Sequence, residues 1–523
     1  MIDKAVIVRA ALFVGTQQIG PVITLTYFVN LTNEVVFSKL PVVSLVLDNA
    51  DLYDPDTGIY VEGTLYKDHM NELSKGSKPA NYSLKGEIAE REAHIDYFEK
   101  NYSLLFSQNV GIRIRGQTSR MLSKKGFNVF ARAQYGYPTI ENIFENGTGD
   151  LEAFSLMSEA MDFKLKNPFA SIVAKDLDIS ILESFPCNLF LNGEYWGVYC
   201  VSEKIDENYF QRHYNVNNAK IVKCTLGTLE SNDAEAISTY QNLLQVISQK
   251  DMSQKENFDW ICNIVDINSV IDYYGFEMCI ANEDWPSNNY AVWWAEDEDS
   301  PYSDGKWRFL LYDVDYSPCM RGGVAHINSY YRLEDDILFS SLFVNTEFRN
   351  MLAQRICDLM SITLQKDHAI STMDQLKQMC EESLRLDDSK YNIGRNVDEQ
   401  GLYTEFIDFF NWRQEIMLTH TKETCQLTED VTDLVIVSDN IEEGTVKIDG
   451  LIIDLSYGSW IGKYFNHMNI KLEAIPTEGY KFVGWQILSQ NNEIIYDQTL
   501  LYALSEKGDV IKPLFVKEPE NGY

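Results

Sequence analysis

Asp284, Asn289 and Asp313 have the residue types and spacing of a site for a metal ion and phosphate. Residues 284–290 read Asp-Trp-Pro-Ser-Asn-Asn-Tyr, after a predicted helix and before a predicted strand at 290–295. Lys306 to Tyr312 forms a second predicted strand, and Asp313-Val314-Asp315 follows it. Paired as a hairpin, the two strands return Asp313 to the side of the 284–289 loop. The acidic tip, Glu296 to Asp304, reads as a solvated charge run. A loop of Asp, Pro and two Asn is also an ordinary turn. Carboxylates and an amide at strand ends, however, make a hard oxygen site suited to magnesium or manganese.

An acid, an asparagine five positions on, a hairpin and a second acid are the ordered parts of a kinase catalytic apparatus. Asp284 occupies the base position, and Asn289 and Asp313 the metal positions. The usual His-Arg before the acid is Asn282-Glu283, and Asp-Phe-Gly is replaced by Asp313-Val314-Asp315. Phosphate also needs donors and cations. Gly111 to Arg120 runs from a strand into a small polar loop carrying Arg115, Gln117, Thr118 and Ser119. Such a turn can cradle phosphate on N–H groups and hydroxyls. Lys125, opening the next strand, is placed to meet it as a point charge. A plain surface hairpin has the same composition. No GxxxxGK[ST] occurs, which argues against a Walker-type ATPase. Val201 to Glu203 leave a predicted hairpin where a hinge would meet adenine.

The elements that must position these residues are β-rich first and helical later. Strands are predicted at 5–14 and 22–29, then at 40–47, 94–98, 111–115 and 127–131. Phe185 to Leu191 and Tyr195 to Ser202 flank Asn192-Gly193, a strong hairpin signal. Helical spacing covers 234–249, 264–280, 342–364, 373–384 and 403–421. Short strands return at 427–439, 444–453, 470–475 and 481–488. The pattern is α+β. Residues 1–30 read as the tail of a truncated β-sandwich module, with a short likeness to the C-terminal domain of chitobiase-type enzymes.

The chain has 523 residues and a formal charge of -34. Such a surface repels nucleic acid and anionic membranes, while a bound nucleotide remains compatible with local cations and metal. No run reaches membrane-spanning length, and no signal peptide opens the chain. The nine cysteines show no zinc spacing and no disulfide framework, so buried thiols are expected.

Taken in order, five segments resemble the CotH kinase family over about residues 40–425: Arg115 to Arg120, Lys125-Gly126-Phe127, Asn192 to Tyr199 with Glu203-Lys204-Ile205-Asp206, Asp284 to Tyr290, and Lys306-Trp307 through Asp315. The resemblance implies a divergent, two-lobed protein-kinase-like fold that transfers phosphate from ATP to protein. It implies Lys125 as phosphate-binding lysine, Asp284 as catalytic-loop acid, Asn289 and Asp313 as ligands of Mg2+ or Mn2+, and Asp315 as a further candidate ligand. Asp162 and Glu159 are the acids in the stretch where a partner for Lys125 is expected. Residues 430–518, with Gly479-Tyr480-Lys481-Phe482-Val483-Gly484-Trp485, resemble an internalin-B-type repeat of β-grasp-like fold. Together these features imply a modular bacterial protein, secreted or on the cell surface, with a nucleotide and a protein substrate as partners. Two other functions fit the same chain: an inactive kinase-fold module in a structural or adhesive surface protein, and a carbohydrate-associated module suggested by the abundant Trp and Tyr.

Overall fold

Alternating apolar residues drive the first half into a closed barrel, seen in a computed structural model that describes residues 4–28, 39–69, 79–158, 165–296, 299–317, 325–391 and 401–518. A ribbon precedes it, formed by β1 (Val6–Ala10) and β2 (Ile23–Tyr27) paired antiparallel. The barrel strands are β3 (Val42–Val46), β4 (Arg91–Phe98), β5 (Leu104–Arg115), β6 (Gly126–Phe130), β7 (Ala153–Met157), β8 (Ser184–Leu191) and β9 (Glu194–Ser202). Their order is β8-β9-β7-β6-β5-β4-β3, closed by parallel pairing of β8 with β3. Closure leaves no free edge within the barrel. Along β5, Val110, Ile112 and Ile114 point into the core, while Arg113 and Arg115 point outward. Period-two alternation thus puts both arginines on one outer face.

The helical half begins with α1 (Lys166–Val173) and α2 (Glu207–Tyr214). A five-stranded sheet follows, ordered Ser180–Ile181, β13 (Arg308–Leu311), β12 (Tyr290–Trp294), β10 (Lys220–Thr225) and β11 (Thr228–Glu230). Packed with it are α3 (Ala234–Ser248), α4 (Ile267–Cys279), α5 (Thr346–Asp358), α6 (Lys366–Tyr391) and α7 (Leu402–Cys425). The predicted helix at 342–364 is interrupted because Asn345 caps α5, its side chain accepting from Phe348 N–H at 3.1 Å. The apolar pattern carried across that cap without marking the break. The predicted strand at 5–14 also divides: it ends at Ala10, and Phe13–Val14 turns back on Gln17–Gln18. β7, with all five residues buried, was not anticipated.

The last domain is β-rich. One sheet holds β14 (Val431–Val437), β16 (Ser459–Phe465), β18 (Tyr480–Ile487) and β20 (Asp509–Lys517). The other holds β15 (Gly444–Ile448), β17 (Asn469–Pro476) and β19 (Thr499–Ala503). It docks on the single π turn Leu359–Thr363 that follows α5. Tyr464 donates to Asp358 at 2.8 Å, Trp460 Nε1 to Ser361 O at 3.2 Å, and Lys463 N–H to Ser361 Oγ at 3.0 Å.

Barrel and helices are joined through one fully buried ion pair. Lys124 Nζ donates to Asp387 Oδ1 at 2.7 Å and to Val198 O, and Val198 N–H donates to the same carboxylate at 3.1 Å. Both side chains are 0% exposed. Gly197 makes this possible: its φ is +114°, and a Cβ there would lie 1.8 Å from Asp387 Oδ1. Gly197→Ala should therefore displace the carboxylate and destabilise the fold by about 3 kcal/mol or more, the usual cost of breaking a buried pair. Urea unfolding measures this, and a loss below about 1 kcal/mol would show that the pair does not hold the halves together.

Candidate functional site

The site grows from the C-terminus of α4. That helix ends in a Schellman turn: Ala281 N–H donates to Met278 O and Asn282 N–H to Glu277 O, each at 3.1 Å. Ala281 takes the left-handed position, φ +57°, that glycine usually fills. Cys279 O and Met278 O at the helix end also receive Arg413, a fully buried guanidinium from α7 that donates further to Ala325 O and Ile327 O. A cation at a helix C-terminus also meets the negative end of the helix dipole. Below the turn, Asn282 Nδ2 donates to Glu277 Oε2 at 2.9 Å, while Asn282 Oδ1 accepts from Asp284 N–H at 3.1 Å. The backbone entering the loop is thus fixed on three sides.

Asp284 Oδ2 accepts from Asn288 Nδ2 at 2.8 Å and Asn289 Nδ2 at 3.0 Å. Asn289 Nδ2 also reaches Asp313 O at 3.4 Å. The amide of Asn289 therefore links the two acidic segments, as the hairpin register requires: Ala291 pairs Leu310. Asn289 and Asp313 are both left-handed, φ +53° and +56°. Asn and Asp tolerate this region better than other side chains, and such strain collects at functional sites. Asp313 lines a narrow cleft of about 30 Å³ with Arg115, Met157, Ser202 and Tyr312, so the outer face of the barrel roofs the acidic loops.

The other expected residues lie as follows. Lys125 is turned away from this cleft: its Nζ donates to Arg120 O at 2.6 Å and Leu122 O at 2.7 Å, and it sits 4.2 Å from the centre of the Tyr82 ring. Burial lowers its pKa to about 8. It staples the 119–123 turn. Gln117 accepts from Lys85 at 3.3 Å on the surface, Thr118 is exposed and Ser119 is half-buried beside it. The Glu203 carboxylate is buried against Arg212 Nη1 at 2.9 Å and His213 Nε2 at 2.7 Å, which leaves only its backbone for a hinge role. Asp315 O accepts from Lys166 Nζ at 2.7 Å. Glu159 and Asp162 lie outside the described residues. The structure thus brings Arg115, Asp284, Asn289 and Asp313 together, and places Lys125, Gln117 and the Glu203 side chain elsewhere.

Lys166, at the start of α1, and Lys223, on β10, are cations close to the site that no motif marked. Among the described residues no three His, Cys, Asp or Glu side chains gather for a metal. The available donors are two carboxylates and one amide, all hard, and they fit magnesium or manganese when phosphate oxygens complete the shell.

Glu277 has a measurable signature. Burial raises its carboxyl to about 8, against a smaller lowering by the Asn282 amide, and its Oε1 has no hydrogen-bond partner. The folded state therefore keeps a proton that the unfolded chain releases between about pH 4.5 and 8. The contribution is full below pH 4.5 and is lost as pH rises through that window. Glu277→Gln should flatten this part of the stability profile, a difference on the order of a few kcal/mol between pH 5 and 8. Chemical unfolding of both proteins at the two pH values tests it. Identical slopes would show that Glu277 is ionised in the folded protein.

A family model described as CotH kinase protein matches residues 112–417, more than half of the chain. No curated protein matches it. The match opens within β5, includes the cleft and both acidic segments, and closes within α7. With the site inside that span, the chain belongs to the CotH kinase protein family.

Proposed function

We propose that this chain is a metal-dependent protein kinase that moves the γ-phosphoryl group of ATP to Ser or Thr hydroxyls of exported or surface proteins. The observation carrying this is that Asn289 links Asp284 to the Asp313 backbone, and that Asp313 lines a cleft with Arg115. In this reading the barrel serves as the small lobe of a kinase-like fold and the helical half as the large one. Asp284 orients the acceptor hydroxyl and takes its proton as the oxygen–phosphorus bond forms. The bond from the γ-phosphorus to the bridging oxygen breaks, and ADP leaves. Asp313 and Asn289, with Asp315 as a further candidate, would hold Mg2+ or Mn2+, and the ion would supply positive charge for the phosphates. Arg115, which lines the cleft with Asp313, meets the phosphate there. The β-rich domain at 430–518 serves as an internalin-B-type repeat, and the β1–β2 ribbon as part of a β-sandwich module, in a secreted or surface protein of a bacterium.

A second reading is a catalytically inactive module of a structural or adhesive surface protein. One observation favours it: Lys125 and the Glu203 carboxylate, expected at the nucleotide, are both engaged in structural contacts.

Melting temperature with ATP and Mg2+ or Mn2+ separates the two. The kinase reading expects a metal-dependent rise, lost in Asp313→Ala. It also expects no phosphoryl transfer by Asp313→Ala, and a ~10²–10⁴-fold lower transfer rate for Asp284→Asn, the range for removing a general base. Undiminished transfer by Asp313→Ala would overturn the metal assignment. No shift at millimolar ATP selects the inactive module.

A further inference from the structure

In a chain of net charge -34, the cations near a phosphate site deserve an inventory. Most are already committed. Arg113 and Arg132 both bind Glu90, Lys204 binds Asp206, and Arg212 binds Glu203. Lys124 binds Asp387, and Lys125 and Lys166 hold backbone carbonyls. Two are left. The Arg115 side chain has no hydrogen bond or ion pair among the described residues, although its backbone pairs with Gly126. Lys223 has no carboxylate partner among them and makes one bond, to Ile205 O at 3.0 Å. Two of its three ammonium hydrogens remain available.

Both cations address the same place. Arg115 shares the cleft with Tyr312 and Asp313. Lys223 pairs across β10 and β12 with Ala291, which in turn pairs with Leu310 on β13, the strand that ends at Tyr312 and Asp313. Arg115 is close enough to act electrostatically on both Tyr312 and Lys223. Arg115 lines the cleft and Lys223 stands on the neighbouring strand within electrostatic reach of it, and two cations so placed disfavour each other until an anion lies between them.

We infer that Lys223 and Arg115 form a cationic clamp for the phosphate chain of the nucleotide, filling the role the sequence suggested for Lys125. This rests on the nucleotide-binding reading above. Lys223 is well suited to such a role: burial, then the neighbouring Lys204, lowers its pKa to about 8, so a bound phosphate restores charge it holds weakly. The charged and titratable groups facing it are Lys204 and Asp206 after β9, Glu230 on β11, Arg115 on β5 and Tyr312 after β13.

The test is calorimetric binding of ATP with Mn2+, and of adenosine, to the full chain and to Lys223→Met and Lys223→Arg. Lys223→Met should weaken ATP at least tenfold and leave adenosine unchanged, while Lys223→Arg should stay near the original affinity. In the unaltered protein, ATP affinity should fall between pH 7 and 9 as Lys223 loses its proton, and the Arg variant should lose this dependence. Unchanged ATP binding by a folded Lys223→Met, or equal loss of adenosine, overturns the clamp. If Lys223→Met does not fold, a pH profile identical in the Arg variant and the unaltered protein overturns it instead. ATP binding that Asp313→Ala weakens but Lys223→Met does not would remove the clamp and leave the kinase reading standing. No ATP binding by the unaltered protein removes both.

Discussion

The buried pair between Lys124 and Asp387 governs how the two halves of this protein meet. A closed barrel has no edge to extend, so it must be joined to the helices through side chains. One ammonium from the β5–β6 connection and one carboxylate from α6 lie at the centre of this joint, bonded also to Val198 N–H and O, with Tyr195 donating to Ser383 O and Tyr391 to Trp196 O beside them. An ion pair with both partners wholly buried is costly to desolvate and more costly to break. It therefore fixes position more surely than it adds stability. The cleft beneath Arg115 exists because the outer face of the barrel is held over the sheet that carries Asp313.

The site was legible where chemistry and local geometry coincide. Asp284, Asn289 and Asp313 could be found because the spacing of a loop and a hairpin fixes their approach, and the register of β12 with β13 brings them together. Lys124 and Lys125 show where sequence runs out. Adjacent residues entering a strand point to opposite faces. Nothing local says that one partner lies 263 residues on in α6 and that the other lysine folds back on its own turn. Glu203 failed for the same reason, since its partners Arg212 and His213 come from the next helix. β7 escaped notice because all five of its residues are buried, which removes the alternation that marks a strand.

The β-rich C-terminal domain was legible as β structure, but its relation to the rest was not. It is seated on the π turn after α5, where the widened helix frees Ser361 O for Trp460 Nε1 and presents Ser361 Oγ to Lys463 N–H. Tyr464 reaches Asp358, a carboxyl that burial holds well above its usual range. Arg355, on the same helix, pairs with Asp272 of α4. α4 is the helix whose end launches the Asp284 loop. Buried polar contacts therefore tie the last domain to α5 and α5 to α4, the helix that leads into the site. A freely hinged spacer would not need buried carboxyls at its junction.

The acidic composition gives these contacts a common logic. With 78 acidic and 44 basic residues, nearly every cation near the cleft has an acid or a carbonyl within reach. A cation that stays unpaired in such surroundings is held away from carboxylates by the fold itself. Arg115 owes this to β5, which turns it outward over the cleft while Glu90 engages Arg113 two residues earlier. Lys223 owes it to β10, whose pairing with β12 sets its side chain toward the Ile205 carbonyl. Neither position is encoded by a motif. Both follow from strand period and register, and these decide where a cation is left without a salt-bridge partner among the described residues.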